Sequence, residues 1–196
     1  MLIKNIQPSR IELFYDVVLV EKDGEKALNI SVGKPEAESM AIFIDNIKTP
    51  RPLTYDVFCN IMQEYSLLLR EVVLTKFLDG NYYAEASFVD CDGNSKRFDM
   101  RPSDALNAAL RYSAPIYALD SLINEAGFNY ADYFDNIIQE SFEQDNYSKE
   151  KLSDFGLNVL KDLLRDALEK EDYKCASMLR DRINAIRKNS KKEDKE

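Results

Sequence analysis

The sequence predicts an α+β fold, an antiparallel or mixed sheet with packed helices, followed by a C-terminal α-helical hairpin. Three observations carry this expectation. Runs rich in β-branched and aromatic residues at 11–32 and 72–100 are punctuated by Asp-Gly and Gly-Asn turn signals. Helical spacing appears after Pro35, Thr54 and Pro102, residues suited to helix starts. Two apolar stripes then face each other between 159 and 188.

Taken in order, Ile11 to Val20, the Asp23-Gly24 turn and Lys26 to Val32 read as a hairpin. Pro35 opens a helix through Ala37, Met40, Ala41 and Ile44, with acidic residues near its positive end. A second helix is expected from Thr54, its candidate N-cap, to Leu69, with Phe58, Ile61, Met62 and Tyr65 on one face. Val72 to Leu78, Tyr82 to Val89 and Ser95 to Met100, joined by turns at Asp79-Gly80 and Gly93, predict an antiparallel meander. A third helix from Pro102 to Tyr112 carries Ala105, Ala108 and Ala109 on a close-packing face, and Pro115 to Leu119 offers a short strand.

The expected organisation is a domain over 1–127, an acidic, partly helical connector over 128–158, a hairpin over 159–188 and a charged tail over 189–196. At 196 residues the chain exceeds one domain of about 100–150 residues without reaching two. Its 45% apolar and 11% aromatic content is enough to form a core. No signal-peptide pattern or membrane-length apolar run is present, so the sequence reads as cytoplasmic, with no membrane partner.

Composition also limits the chemistry. There is no histidine, which excludes imidazole acid–base catalysis, Ser-His and Cys-His nucleophilic pairs and imidazole-ligated zinc. Cys59, Cys91 and Cys175 are widely spaced and suggest neither a disulfide framework nor a thiolate metal site. Hydrolysis then points to a hard cation, Mg²⁺ or Mn²⁺, on carboxylates. The net charge of −9 opposes broad attraction to a polyanion. Its distribution is uneven: 129–150 holds six acidic residues against one basic, and 173–192 holds seven basic against one acidic.

The most distinctive local feature is a pair of Arg-Pro dipeptides before expected helices, Arg51-Pro52-Leu53-Thr54-Tyr55-Asp56 and Arg101-Pro102-Ser103-Asp104. A helix start favours an anion through its unpaired N–H groups and dipole, and a neighbouring guanidinium can grip phosphate with two parallel hydrogen bonds. A plainer reading stays open, in which Thr54 and Ser103 or Asp104 cap their helices and the arginines pair with nearby carboxylates. Glu36 and Glu38 are placed to join Asp56 and Asp104 around a metal, although acids at helix starts also serve the dipole alone.

The order of Val32-Gly33-Lys34-Pro35-Glu36-Ala37, Thr49-Pro50-Arg51-Pro52-Leu53-Thr54-Tyr55-Asp56, Tyr82-Tyr83-Ala84-Glu85 and Arg101-Pro102-Ser103-Asp104-Ala105-Leu106 resembles the bifunctional nuclease family, whose members are described as cleaving DNA and RNA. The resemblance covers most of Ile11 to Ala126 and implies that Glu36, Arg51, Asp56, Arg101, Ser103 and Asp104 lie in or beside a functional cleft. It departs at Tyr55, where family members often carry His; an unperturbed phenol, with a pKa of about 10, is a poor base at neutral pH. At the C-terminus, Glu171-Asp172-Tyr173, Ala176 and Leu179-Arg180-Asp181 resemble the UVR motif, the hairpin through which the UvrB and UvrC repair proteins associate. Lys174 and Cys175 depart from that pattern.

These readings give a nuclease with Asp56, Arg101 and Asp104 as catalytic residues, Arg51, Thr54 and Ser103 as substrate contacts, and Glu36, Asp56 and Asp104 as ligands of Mg²⁺ or Mn²⁺. The expected partners are DNA or RNA, a protein at the hairpin, and a further copy of the chain. The alternative is a non-catalytic anion- or nucleic-acid-binding regulator that docks through the hairpin.

Overall fold

A computed structural model describes residues 1–133, apart from 10, 12 and 23, and ten positions between 160 and 184. The chain divides into two compact units, Met1–Tyr133 and Phe134–Glu196. The first unit contains β1 (Leu2–Pro8), β2 (Phe14–Val20), β3 (Lys26–Gly33), α1 (Lys34–Ile44), α2 (Thr54–Glu64), β4 (Leu68–Leu78), β5 (Asn81–Val89), β6 (Ser95–Met100), α3 (Pro102–Tyr112), β7 (Ile116–Ala118), α4 (Asp120–Ala126) and β8 (Phe128–Asn129). The α+β expectation holds.

The strands form two four-stranded sheets, ordered β1-β2-β3-β8 and β6-β5-β4-β7. All pairings are antiparallel except β4 with β7. The β4–β5 turn is tight because Asp79 and Gly80 both adopt positive φ, 50° and 79°, which matches the right-handed twist of a hairpin. Bulges interrupt β4 after Leu69 and Leu74, so the register shifts twice along the β4–β5 pair.

One core joins both sheets and three helices. It combines Val17, Leu19, Leu28 and Ile30 with Val72, Leu74, Ala84 and Phe88, and with Met40, Leu106 and Leu122. The consecutive run Val17–Val20 is fully buried because the first sheet is covered on both faces. Its second face packs Val18, Val20 and Ala27 against Phe128, Tyr130 and Tyr133.

Three features differ from the sequence expectations. The helix expected over 54–69 ends at Glu64: Ser66 turns to φ 57°, and Leu68 onward is recruited into β4. The N-cap of that helix is Leu53 rather than Thr54, which is its first helical residue. The first unit also runs past Gly127, since β8 pairs Phe128 with Ala27 and Asn129 with Lys26.

In the second unit, Leu160, Ala176, Leu179 and Ile183 are helical and buried, whereas Leu168 is exposed. The acidic stretch beyond 133, the turn expected at 169–172 and the tail over 189–196 lie outside the described residues. No described helix is long and apolar enough to cross a membrane.

Candidate functional site

The starts of three helices meet at one place, and the chain's local chemistry explains each. α1 and α3 carry Pro in their first turn, where a missing N–H costs nothing, and each places an acid there, Glu36 and Asp104. α2 carries Asp56 in its first turn, and its Oδ2 accepts the Leu53 N–H at 2.8 Å and so closes the helix start.

Arg101, the N-cap of α3, ties two of these helices together. Its Nε and Nη2 hold both oxygens of Asp104 at 2.7 and 2.9 Å, a bidentate pair, and Nη2 also reaches Glu36 Oε1 at 3.2 Å. Tyr55 on α2 completes the group by donating its hydroxyl to Asp104 Oδ1 at 2.7 Å. The Arg101 side chain is 68% exposed, against 24% for Asp104 and 19% for Glu36. The cation therefore faces solvent, while the acids that orient it are set deeper.

A second ion pair lies behind the first. Arg111, near the end of α3 and only 5% exposed, donates Nε to Asp56 Oδ1 at 2.6 Å. Its Nη1 bonds the Asn107 carbonyl and side chain, its Nη2 bonds Ser39 Oγ at 3.0 Å, and the guanidinium lies over the rings of Phe43 and Tyr55. Asn107, fully buried, donates to the backbone carbonyls of Glu36 and Ser103. It links α1 to α3 directly beneath Arg101.

The electrostatics follow from this packing. Burial pushes the Asp104 carboxyl up, but the hydrogen bonds from Arg101 and Tyr55 outweigh it and hold the group below its ordinary value. Asp56 behaves likewise, with the Leu53 N–H and Arg111 overcoming the burial effect. Burial, the bond to Asp104 and the charge of that carboxylate all raise the Tyr55 phenol well above its ordinary value. Tyr55 is thus a proton-bearing donor at neutral pH.

Of the expected site residues, the structure brings Glu36, Arg101 and Asp104 together. Asp56 is turned to Arg111 instead. Among the described residues no hydrogen bond joins the side chains of Arg51, Thr54 or Ser103 to the cluster; Arg51 and Thr54 are exposed and Ser103 is buried. Arg111 and Asn107 were missed by sequence reasoning. Their signal was present as a polar line at 104, 107 and 111, spaced by three and four residues along a helix otherwise faced with alanine.

No group of three Asp, Glu or Cys side chains among the described residues is spaced to hold a metal ion. Glu36 and Asp104 offer two oxygen donors that converge on one guanidinium, which suits a hard cation in part, because Mg²⁺ is commonly held by one or two carboxylates together with substrate phosphates. Asp56, paired with the buried Arg111 rather than the exposed Arg101, does not extend that pair.

Comparison with known proteins adds identity to this geometry. An uncharacterized protein of Mycobacterium tuberculosis H37Rv is 31% identical over 135 residues, covering 69% of this chain and 80% of that protein. Bifunctional nuclease 2 of Oryza sativa subsp. japonica is 26% identical over 187 residues, 89% of this chain but 57% of its own length. Bifunctional nuclease 1 of Arabidopsis thaliana is 33% identical over 105 residues, 51% of this chain and 32% of its own length. The profile of the bifunctional nuclease domain matches residues 17–131, which span every residue of the cluster, and the chain belongs to that family.

Proposed function

We propose that this chain is a nuclease that hydrolyses phosphodiester bonds of DNA or RNA at the Glu36, Tyr55, Arg101 and Asp104 cluster. The observation that carries this reading is the meeting of three helix starts at one exposed guanidinium and the Asp104 carboxylate that orients it. Helix starts favour anions, and Arg101 presents a planar donor set matched to phosphate. Arg101 would neutralise charge developing on the phosphate oxygens. Asp104 and Glu36 hold Arg101 in place, and Tyr55 keeps Asp104 ionised. Arg51 and Thr54, exposed at the α2 start, are the proposed substrate contacts, whereas the buried Ser103 side chain is not placed to be one.

Mg²⁺ or Mn²⁺ is part of this proposal. Bound by Glu36 and Asp104, such an ion would supply a Lewis acid and a water of lowered pKa. Asp56 is better assigned to fixing Arg111 than to metal binding, because that guanidinium is buried against it, whereas Arg101, which holds Glu36 and Asp104, is exposed and would turn away to admit an ion.

One observation favours a non-catalytic reading. Tyr55, where a base would serve a nuclease, is locked as a donor to Asp104, and Arg101 is already neutralised by two carboxylates. In that reading the site binds an anion or a nucleic acid without cleaving it. The buried helical positions Leu160, Ala176, Leu179 and Ile183 suit the facing apolar stripes of a C-terminal hairpin of UVR type, which in this reading would dock a protein partner in the cytoplasm.

Incubating the purified chain with plasmid DNA and with RNA, with and without EDTA, separates these readings. Cleavage that EDTA abolishes and that Asp104→Ala and Arg101→Ala each reduce supports the metal-assisted nuclease. Cleavage unchanged in both variants would remove the site from the mechanism. Retention of a labelled oligonucleotide without cleavage in any metal condition would favour the binding reading.

A further inference from the structure

The strand leading into Arg101 points to a second copy of this chain. β6 is the edge of its sheet among the described residues, with the order β6-β5-β4-β7. An edge strand presents unpaired N–H and C=O groups and is ordinarily shielded by charge, proline or a cover. β6 has no proline and is exposed from Ser95 to Asp99, and the charges it carries, Lys96, Arg97 and Asp99, are of both signs, so they do not simply repel a second copy of the same strand. It carries Phe98, 48% exposed and resting edge-on against Phe88 with centroids 5.8 Å apart.

The backbone phase of β6 can be fixed. The Asp90 N–H donates to the Asn94 carbonyl at 3.1 Å where β5 turns into β6, and the register from Ser95 to Met100 is unbroken. In an antiparallel ladder successive residues alternate between facing the partner and facing away. Residues 96, 98 and 100 therefore turn their backbone groups toward β5, and 95, 97 and 99 turn theirs to the free edge.

The charges on that edge are self-complementary in one register. Glu85 and Asp99 stand directly opposite each other on β5 and β6, a like-charge pair that destabilises the sheet unless a cation lies beside it. Arg97, which reaches Glu85 at 3.7 Å, lies two residues from Asp99. We propose that two copies pair antiparallel through β6 about a two-fold axis at Phe98, with Arg97 of each opposite Asp99 of the other. In this register 97 and 99 form the hydrogen-bonded pairs, using the outward backbone groups. Phe98 meets Phe98 of the second copy at the non-hydrogen-bonded position, where side chains come closest. Each Asp99 then lies between Glu85 of its own chain and Arg97 of the other.

The pairing is isologous, so it closes as a dimer and leaves no further edge at this site. It also relates two functional clusters, because Arg101 follows β6 directly. Each Arg101 lies three residues from the axis, which sets the two about 20 Å apart along the strand direction. The pairing rests on the edge of β6 and does not depend on the catalytic reading.

Analytical ultracentrifugation of the full chain at tens of micromolar, a range suited to a small interface, tests the proposal. A dimer is expected. Arg97→Asp and Asp99→Arg, which set like charges across the edge, should each weaken it at least about tenfold, and the double swap should restore it. In a Cys91→Ser, Cys175→Ser background, Phe98→Cys should form an intermolecular disulfide on mild oxidation, since Cα atoms at that position are about 4.5 Å apart. Circular dichroism establishes that each variant is folded. A monomeric wild-type chain, a dimer indifferent to both charge reversals, or single reversals that the double swap fails to rescue would overturn the pairing.

Discussion

Replacing Arg111 by Met should destabilise the first unit by about 3 kcal/mol. Breaking a buried ion pair by removing one partner costs about 3–5 kcal/mol, because the remaining charge is left without compensation. Here the remaining group, Asp56, is 32% exposed and keeps the Leu53 N–H, so water recovers part of its solvation and the low end of that range applies. The bonds to Ser39 and Asn107 belong to the same guanidinium, and their loss is contained in that range rather than added to it. Arg111→Lys keeps the charge but not the fork that reaches three partners, and should cost about 1–2 kcal/mol. The chain has no Trp and 11 Tyr, so urea denaturation can be followed by tyrosine fluorescence alongside circular dichroism. With a slope of about 2 kcal/mol per molar urea, Arg111→Met should lower the midpoint by about 1.5 M. Asp56→Asn should cost less in the Arg111→Met background than in the wild type, because the pair it would break is already gone. A midpoint shift below about 0.5 M, or fully additive effects, would refute the assignment of Arg111 as the cation that holds α1, α2 and α3 in place.

Other predictions concern neighbouring parts of the same unit. Gly127→Ala should destabilise it by about 2 kcal/mol or more, because a Cβ there would clash with the Ile123 carbonyl oxygen, a backbone atom; thermal denaturation measures this. Gly33→Ala should leave stability within about 1 kcal/mol yet displace the Glu36 carboxylate, whose Oε2 would lie 2.6 Å from the new Cβ. Weaker nucleic-acid cleavage or binding by a normally folded variant would be its signature. Asp104 has a lowered carboxyl pKa in the fold, so its contribution is present above the unfolded value of about 3.9 and is lost as pH falls through the folded value. Asp104→Asn should therefore flatten the dependence of stability on pH below about 4, as read by urea midpoints at several pH values.

Much of this architecture was legible because it is written in local chemistry. The Pro residues opening α1 and α3, and the Asp79-Gly80 turn, impose their conformations whatever surrounds them. What sequence reasoning missed depends on distant partners. The sequence expectations begin at Ile11 and contain no counterpart of β1, whose apolar Leu2, Ile3 and Ile6 do not alternate evenly and which is a strand with a bulge between Ile3 and Asn5 through its pairing with β2. Leu68 and Leu69 fit the periodicity of α2 as well as they fit β4; their place was settled by pairing with Val89 and Phe88. The same division applies to the site. Glu36, Arg101 and Asp104 stood out at helix starts, whereas Arg111 lies one residue from the end of α3, where a basic residue already suits the helix dipole and draws no notice. Only the folded packing shows it buried against Asp56.

The two-residue strand β8 has a consequence for synthesis. It completes the first sheet by pairing with Lys26 and Ala27, and Tyr130 adds a backbone bond to Glu25, so the last strand of that sheet is made about a hundred residues after its neighbour. During translation the edge of β3 that β8 will cover stays open while the entire second sheet is being made. At about 5–20 residues per second that interval lasts about 5–20 seconds, ample time for the hairpin of β2 and β3 to form and wait. Residues 128 and 129 thus act as a latch on a nascent chain, and their emergence from the ribosome marks the moment at which the first unit can close.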